Sequence, residues 1–140
     1  MKNRVLLIDD DALTYSKLNN ILNVFENSFD FKIKLDYART LSDATTLLKN
    51  KKYDLMLLDY FMHENTTESF LFNTKEKYPN LKINIITSIR DYAILKKLLK
   101  FGVSRIIYKP LSLLNVIENI RENLFTTNLK KEVSYENTFI

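Results

Sequence analysis

The chain alternates five times between a short apolar run and a longer stretch whose apolar residues fall three and four apart. Arg4–Ile8 (RVLLI), Asp54–Leu58 (DLMLL), Ile83–Ile86 (INII) and Arg105–Tyr108 (RIIY) are the apolar runs. Phe31–Tyr37 is a fifth segment of strand type, alternating so that Phe31, Ile33, Leu35 and Tyr37 share one side. Alternation at period two marks a half-buried strand, whereas a continuous apolar run marks a strand covered on both faces. Between the strands, helical spacing predicts α-helices. Asp11 to about Glu26 carries Leu18, Ile21, Leu22 and Phe25, and Thr40 caps a helix bearing Leu41, Ala44, Leu47 and Leu48. Thr66 or Thr67 starts a third helix reaching about Lys77, before Tyr78-Pro79. Asp91 to Lys100 is the fourth, with Ile94, Leu95, Leu98 and Leu99 expected inward and Gly102 as its C-cap. Ser112 caps a fifth, with Leu113, Ile117, Ile120 and Leu124 expected inward.

Strict βα alternation with buried strands implies a parallel sheet with helices on both faces. The expected fold is a three-layer, doubly wound (βα)5 α/β domain of flavodoxin-like type, strand order 2-1-3-4-5. It spans residues 1–126, and residues 127–140 read as a weakly periodic tail. With 140 residues, one glycine and two prolines, no linker to a second domain is apparent. The absence of cysteine excludes a disulfide framework and thiolate metal sites. No apolar run reaches the roughly 20 residues of a membrane span, and acid arrives too early at the N-terminus for a secretory signal, so a soluble cytoplasmic protein is expected. A formal charge of +4 without a basic stripe argues against direct nucleic-acid binding.

Chemistry in such a fold belongs at the carboxyl ends of the strands. The first strand runs into Asp9, Asp10 and Asp11, the third into Asp59, the fourth into Thr87 and Ser88, and the fifth into Lys109 and Pro110. The second offers nothing as distinctive. Two carboxylates about 4 Å apart repel by about 4 kcal/mol at an effective dielectric near 20, so a convergence of acids needs a cation. Oxygen ligands with room for water suit Mg²⁺, and a cation so held, with a lysine and a hydroxyl nearby, suits phosphoryl transfer. One aspartate would be the acceptor, since a carboxylate can form an acyl phosphate.

In these four segments, "LLIDDD", "YDLMLLDY", "INIITS" and "FGVSRIIYKP", the chain resembles the response regulator receiver domain from about Lys2 to Phe125. The resemblance implies phosphorylation of Asp59 by a sensor histidine kinase, a phosphotransfer protein or a small phosphodonor. It implies Mg²⁺ held by Asp10, Asp59 and the backbone carbonyl of Phe61, with Asp9 reaching it through water. Thr87 resembles the switch hydroxyl and Lys109 the phosphate-pairing lysine, followed by a cis bond to Pro110. Asp11 is left to the start of the first helix. Ser88 is a small residue near the phosphate, and Ile106 stands where the family carries an aromatic switch residue, with Tyr108 on the same side of the strand. The loop "YFMHENTTE" after Asp59 lacks the family's usual Pro and Gly. Its His63, the only histidine, reads as an exposed loop residue. Phe61 and Ile89 flank water access to the acceptor and imply slow loss of the phosphoryl group.

The chain therefore reads as a stand-alone receiver domain with no room for a DNA-binding output domain. It would signal to a downstream protein through the fourth helix–fifth strand–fifth helix face, and it is a candidate homodimer. Lys96, Lys97 and Lys100 form a solvated face or help dock an acidic partner. The main alternative is an adaptor of the same fold that never uses phosphate. A flavin-binding protein is disfavoured because "DDDAL" would repel a phosphate, and a related metal phosphatase because Asp59 lacks the Asp-x-Asp pair.

Overall fold

Every expected strand and helix forms in the computed structural model, which describes residues 2–29, 31–62 and 67–124. The order is β1 (Lys2–Ile8), α1 (Ala12–Ser28), β2 (Lys32–Ala38), α2 (Leu41–Asn50), β3 (Leu55–Asp59), α3 (Thr67–Lys77), β4 (Lys82–Thr87), α4 (Tyr92–Lys100), β5 (Arg105–Tyr108) and α5 (Leu113–Leu124). The five strands pair in parallel as β2-β1-β3-β4-β5. This is the flavodoxin-like α/β fold expected from the alternation.

Strand periodicity sorts the core into two layers. Leu6, Ile8, Met56, Leu58, Ile83 and Ile85 face one side, where Leu41, Ala44 and Leu48 of α2, Leu71 of α3 and Leu98 of α4 cover them. Val5, Leu7, Leu55, Leu57, Ile86 and Ile107 face the other, under Leu18, Leu22 and Phe25 of α1 and Val116 and Ile120 of α5. Burying such a side chain fully contributes about 1.5–3 kcal/mol, which holds helices on both faces. Along the edge strand β2, Ile33, Leu35 and Tyr37 pack partly against the α1–α5 layer while Lys32 and Lys34 stay exposed. Exposed lysines on an edge discourage pairing with another chain.

Caps fix where the helices begin. Side-chain oxygens of Asp11, Thr40, Asp91 and Ser112 accept from the backbone N–H groups of Leu13, Asp43, Ala93 and Asn115 at 2.9, 3.0, 2.9 and 3.2 Å. Gly102, at φ +87°, turns the chain out of α4, a left-handed conformation that glycine adopts without steric cost.

Two helix faces differ from the expectation. On α5, Ile120 is buried and Ile117 and Leu124 pack partly inward as expected, but Val116, Asn119 and Asn123 share the buried face and Leu113 is 42% exposed. The helix is turned so that Asn119 Oδ1 accepts from Asn84 Nδ2 at 2.6 Å, a buried bond across to β4. On α4, Ile94, Leu98 and Phe101 pack inward, and Leu99, about 100° round the helix from Leu98, is 54% exposed.

Candidate functional site

Parallel pairing brings the carboxyl ends of β1, β3, β4 and β5 to one edge, and with them Asp9, Asp59, Thr87 and Lys109. Asp9 is fully buried, and Asp59 and Thr87 nearly so. Asp9, Asp10 and Asp59 each place a carboxylate oxygen within 4.8 Å of the other two. Lys109 reaches into this group. Its ammonium donates to Asp9 Oδ2 at 3.0 Å and lies 3.7 Å from Asp59 Oδ1. Its backbone N–H is tied to the Thr87 carbonyl at 2.9 Å, and a cis peptide bond joins it to Pro110.

Hydrogen bonds orient the acids. Asp9 Oδ1 accepts from Asp11 N–H at 2.9 Å, and Asp59 Oδ1 from Phe61 N–H at 3.3 Å, which folds the backbone after the acid back onto it. Burial pushes the Asp59 carboxyl up to about 7, the charge on Asp9 pushes the same way, and Lys109 and the Phe61 N–H only partly oppose them. Burial pulls the Lys109 ammonium down, but its hydrogen bond to Asp9 and the charges of Asp59, Asp9 and Asp11 outweigh that and hold it above its ordinary value. Asp9 and Asp59 share one ammonium. The donor set is oxygen only, which fits a hard divalent cation such as Mg²⁺.

Asp11 stands apart from the cluster's carboxylates as the α1 cap. The Thr87 hydroxyl oxygen accepts from Ile89 N–H at 3.0 Å, leaving its own proton to donate. Ser88 and Pro110 are exposed. Ile106 packs partly against the α2–α3–α4 layer. Tyr108 is half-buried, with the Arg90 guanidinium 4.2 Å from its ring centroid. The Phe61 ring is 56% exposed and Ile89 is half-buried. Lys96 and Lys100 are exposed, and Lys97 pairs with Glu68 at 2.8 Å. His63 lies outside the described residues.

Sequence reasoning misses contributions from β2 and from buried amides. Arg39, just past β2, donates to the Asp10 carbonyl at 3.4 Å, so the second strand does deliver a group to this edge. A cation following a strand is the signal that could have found it. Asn84 is hidden within an otherwise apolar run.

Residues 5–121 match the family model of the response regulator receiver domain. The probable C4-dicarboxylate response regulator DctR of Halalkalibacterium halodurans is 28% identical over 107 residues, covering 76% of this chain. The chain spans only 45% of that relative's length. A response regulator from Thermotoga maritima superposes with a TM-score of 0.78 at 20% identity, over 89% of this chain and 98% of its own. A CheY-like receiver domain protein from Methanospirillum hungatei does so with a TM-score of 0.75 at 23% identity, over 94% and 99%. The matched span takes in every strand end at the acidic edge, and the chain belongs to the response regulator receiver domain family.

Proposed function

We propose that this chain accepts a phosphoryl group on Asp59 in a two-component relay. As a receiver it is of the phosphoacceptor kind rather than a turnover enzyme. A carboxylate oxygen of Asp59 attacks phosphorus, the bond to the donor's leaving group breaks, and an acyl phosphate remains. Asp10, Asp59 and the Phe61 carbonyl would hold Mg²⁺ directly, with Asp9 reaching it through water. The ion neutralises phosphoryl oxygens when bound. Lys109 shifts from Asp9 and Asp59 to pair with the transferred group, and Thr87 donates its hydroxyl to it. Ser88, Ile106, Tyr108 and Pro110 form the surrounding switch region. The clustering of Asp9, Asp10 and Asp59, with Lys109 paired to Asp9 and Asp59, carries this reading.

The donor is a sensor histidine kinase, a phosphotransfer protein or a small phosphodonor. The receiver occupies residues 1–126 and works in the cytoplasm. No helix among the described residues is long and apolar enough to cross a membrane. Output passes to a downstream protein at the α4–β5–α5 face, where Tyr92, Leu99 and Leu114 are 77%, 54% and 79% exposed, a surface that also suits a second copy. Incubation with acetyl phosphate and Mg²⁺ should add about 80 Da, lost in Asp59→Asn, and mass spectrometry reads it directly. The acyl phosphate should persist well beyond seconds; rapid release would contradict a role for Phe61 and Ile89 in excluding water. Ile106 in place of an aromatic favours a second reading, an adaptor that binds partners without phosphate. No mass gain in the wild type would select it.

A further inference from the structure

Tyr60 and Asp59 are neighbours in sequence but sit on opposite sides of the sheet edge. Asp59 joins the acidic cluster, whereas Tyr60 packs against the α2–α3–α4 layer. The Tyr60 backbone N–H is pinned to the Ile86 carbonyl at 3.1 Å, and its hydroxyl donates to Glu68 Oε1 at 2.9 Å. The other oxygen of that carboxylate, Oε2, pairs with Lys97 of α4 at 2.8 Å. One carboxylate thus joins the residue beside the acceptor to a helix at the proposed output face.

This junction is the first rung of a seam. Glu68, Phe72 and Lys75 fall four and three apart, one stripe of α3. Opposite them stand Lys97, Phe101 and Gly102. The Phe72 and Phe101 rings meet edge-on at 6.5 Å. The Lys75 stem lies over Gly102 so closely that a Cβ there would come within 3.1 Å of its Cε, and its ammonium donates to the Leu81 carbonyl at 3.0 Å. The seam is made of long side chains, and its first rung contacts Tyr60, the residue that follows Asp59.

We infer that Glu68 is a positioning residue that ties Tyr60 to Lys97, and that this tie transmits the state of Asp59 to α4. The inference rests on the phosphoacceptor reading for its input. Asp59 Oδ1 accepts from the Phe61 N–H. Turning that carboxylate into an acyl phosphate changes the acceptor and therefore the backbone at 60–61, from which the Tyr60 hydroxyl is aimed. The hydrogen bonds from Lys97 and Tyr60 hold the Glu68 carboxyl below the usual carboxylate range, so it remains an anion able to bridge both at neutral pH.

Hydrogen exchange of α4 in the full chain tests the tie, with phosphorylation followed by mass. Without phosphate, Tyr60→Phe, Glu68→Gln and Lys97→Met should each speed exchange in α4 by about two- to fivefold, the effect of losing a partly exposed ion pair or hydrogen bond. Lys97→Arg should behave as wild type. With acetyl phosphate and Mg²⁺, wild-type α4 should change its exchange and phosphorylated Tyr60→Phe should not. If Tyr60→Phe matches wild type in both states while Glu68→Gln and Lys97→Met differ, the seam is merely structural and the tie is overturned. If the wild type gains no mass, the phosphoacceptor reading falls, and the comparison without phosphate alone decides the tie.

Discussion

The two ends of the sheet treat their carboxylates in opposite ways. Asp36, midway along β2, is held by groups nearer the amino ends of the neighbouring strands: it accepts from the Tyr53 hydroxyl at 2.6 Å and lies 3.4 Å from Lys51 and 3.9 Å from Arg4. A cavity of about 710 Å³ opens nearby, lined by Lys49, Lys52, Lys82 and Tyr53 among others. At the carboxyl ends, Asp9, Asp10 and Asp59 cluster, and Asp9 and Asp59 share Lys109. Asp36 alone has three partners, whereas Asp9 and Asp59 share one ammonium. Clustered like charge, rather than open volume, marks where an ion and a phosphoryl group are wanted, because like charges held close and dry are stabilised by an added cation.

Removing the excess charge should have the largest effect. Asp59→Asn should abolish phosphorylation and, without Mg²⁺ at pH 8, raise stability by a few kcal/mol, at about 1.4 kcal/mol per pKa unit of the burial it relieves. Denaturant titration of both proteins checks this. Unchanged stability would mean that the acidic end is no more strained than the other.

The pH dependence follows from the same group. Its folded-state value, about 7, lies above that of an unfolded aspartate. Its contribution to stability is therefore full below the unfolded value near 4 and lost as pH rises through about 7. Ion-free protein should weaken over that window. Added Mg²⁺ should restore more stability at pH 8 than at pH 5, and thermal melts at the two pH values read the difference.

Lys109→Met should destabilise the ion-free protein by about 2 kcal/mol at pH 8, less than for a fully buried pair because the lysine side chain is 25% exposed. The loss should shrink at pH 5, where Asp59 is protonated. At the compensated end the changes should be smaller and independent of Mg²⁺. Tyr53→Phe should cost about 1 kcal/mol for its hydrogen bond to Asp36. Lys51→Ala should cost no more than about 0.5 kcal/mol, being an exposed pair. A Mg²⁺-dependent effect at either residue would erase the distinction between the ends.

Much of this architecture is legible in the amino-acid sequence. The apolar runs and helical stripes are local patterns, and so are the caps at Asp11, Thr40, Asp91 and Ser112. Each depends on residues within one helical turn or one strand. The acids at the strand ends are legible too, because a buried run followed by carboxylates places them at an edge whatever the neighbouring strands are. Asn84 and Asn119 are not. An asparagine in an apolar run reads as a flaw until its partner is found 35 residues away. Leu99 and Leu113 fall outside the buried faces because helical spacing defines a stripe only to within a residue or so, and contact with the sheet chooses its centre.

The sequence by itself determined the order and type of the elements, the edge at which chemistry collects and the residue types gathered there, since all of these follow from short-range periodicity and parallel connection. Tertiary structure decided the pairings: Lys109 with Asp9 across 100 residues, Arg39 with the Asp10 carbonyl, Glu68 between Tyr60 and Lys97. A hydrogen bond or ion pair depends on separations of a few ångströms, and only the packed sheet with its helices sets distances that fine between residues so far apart in the chain.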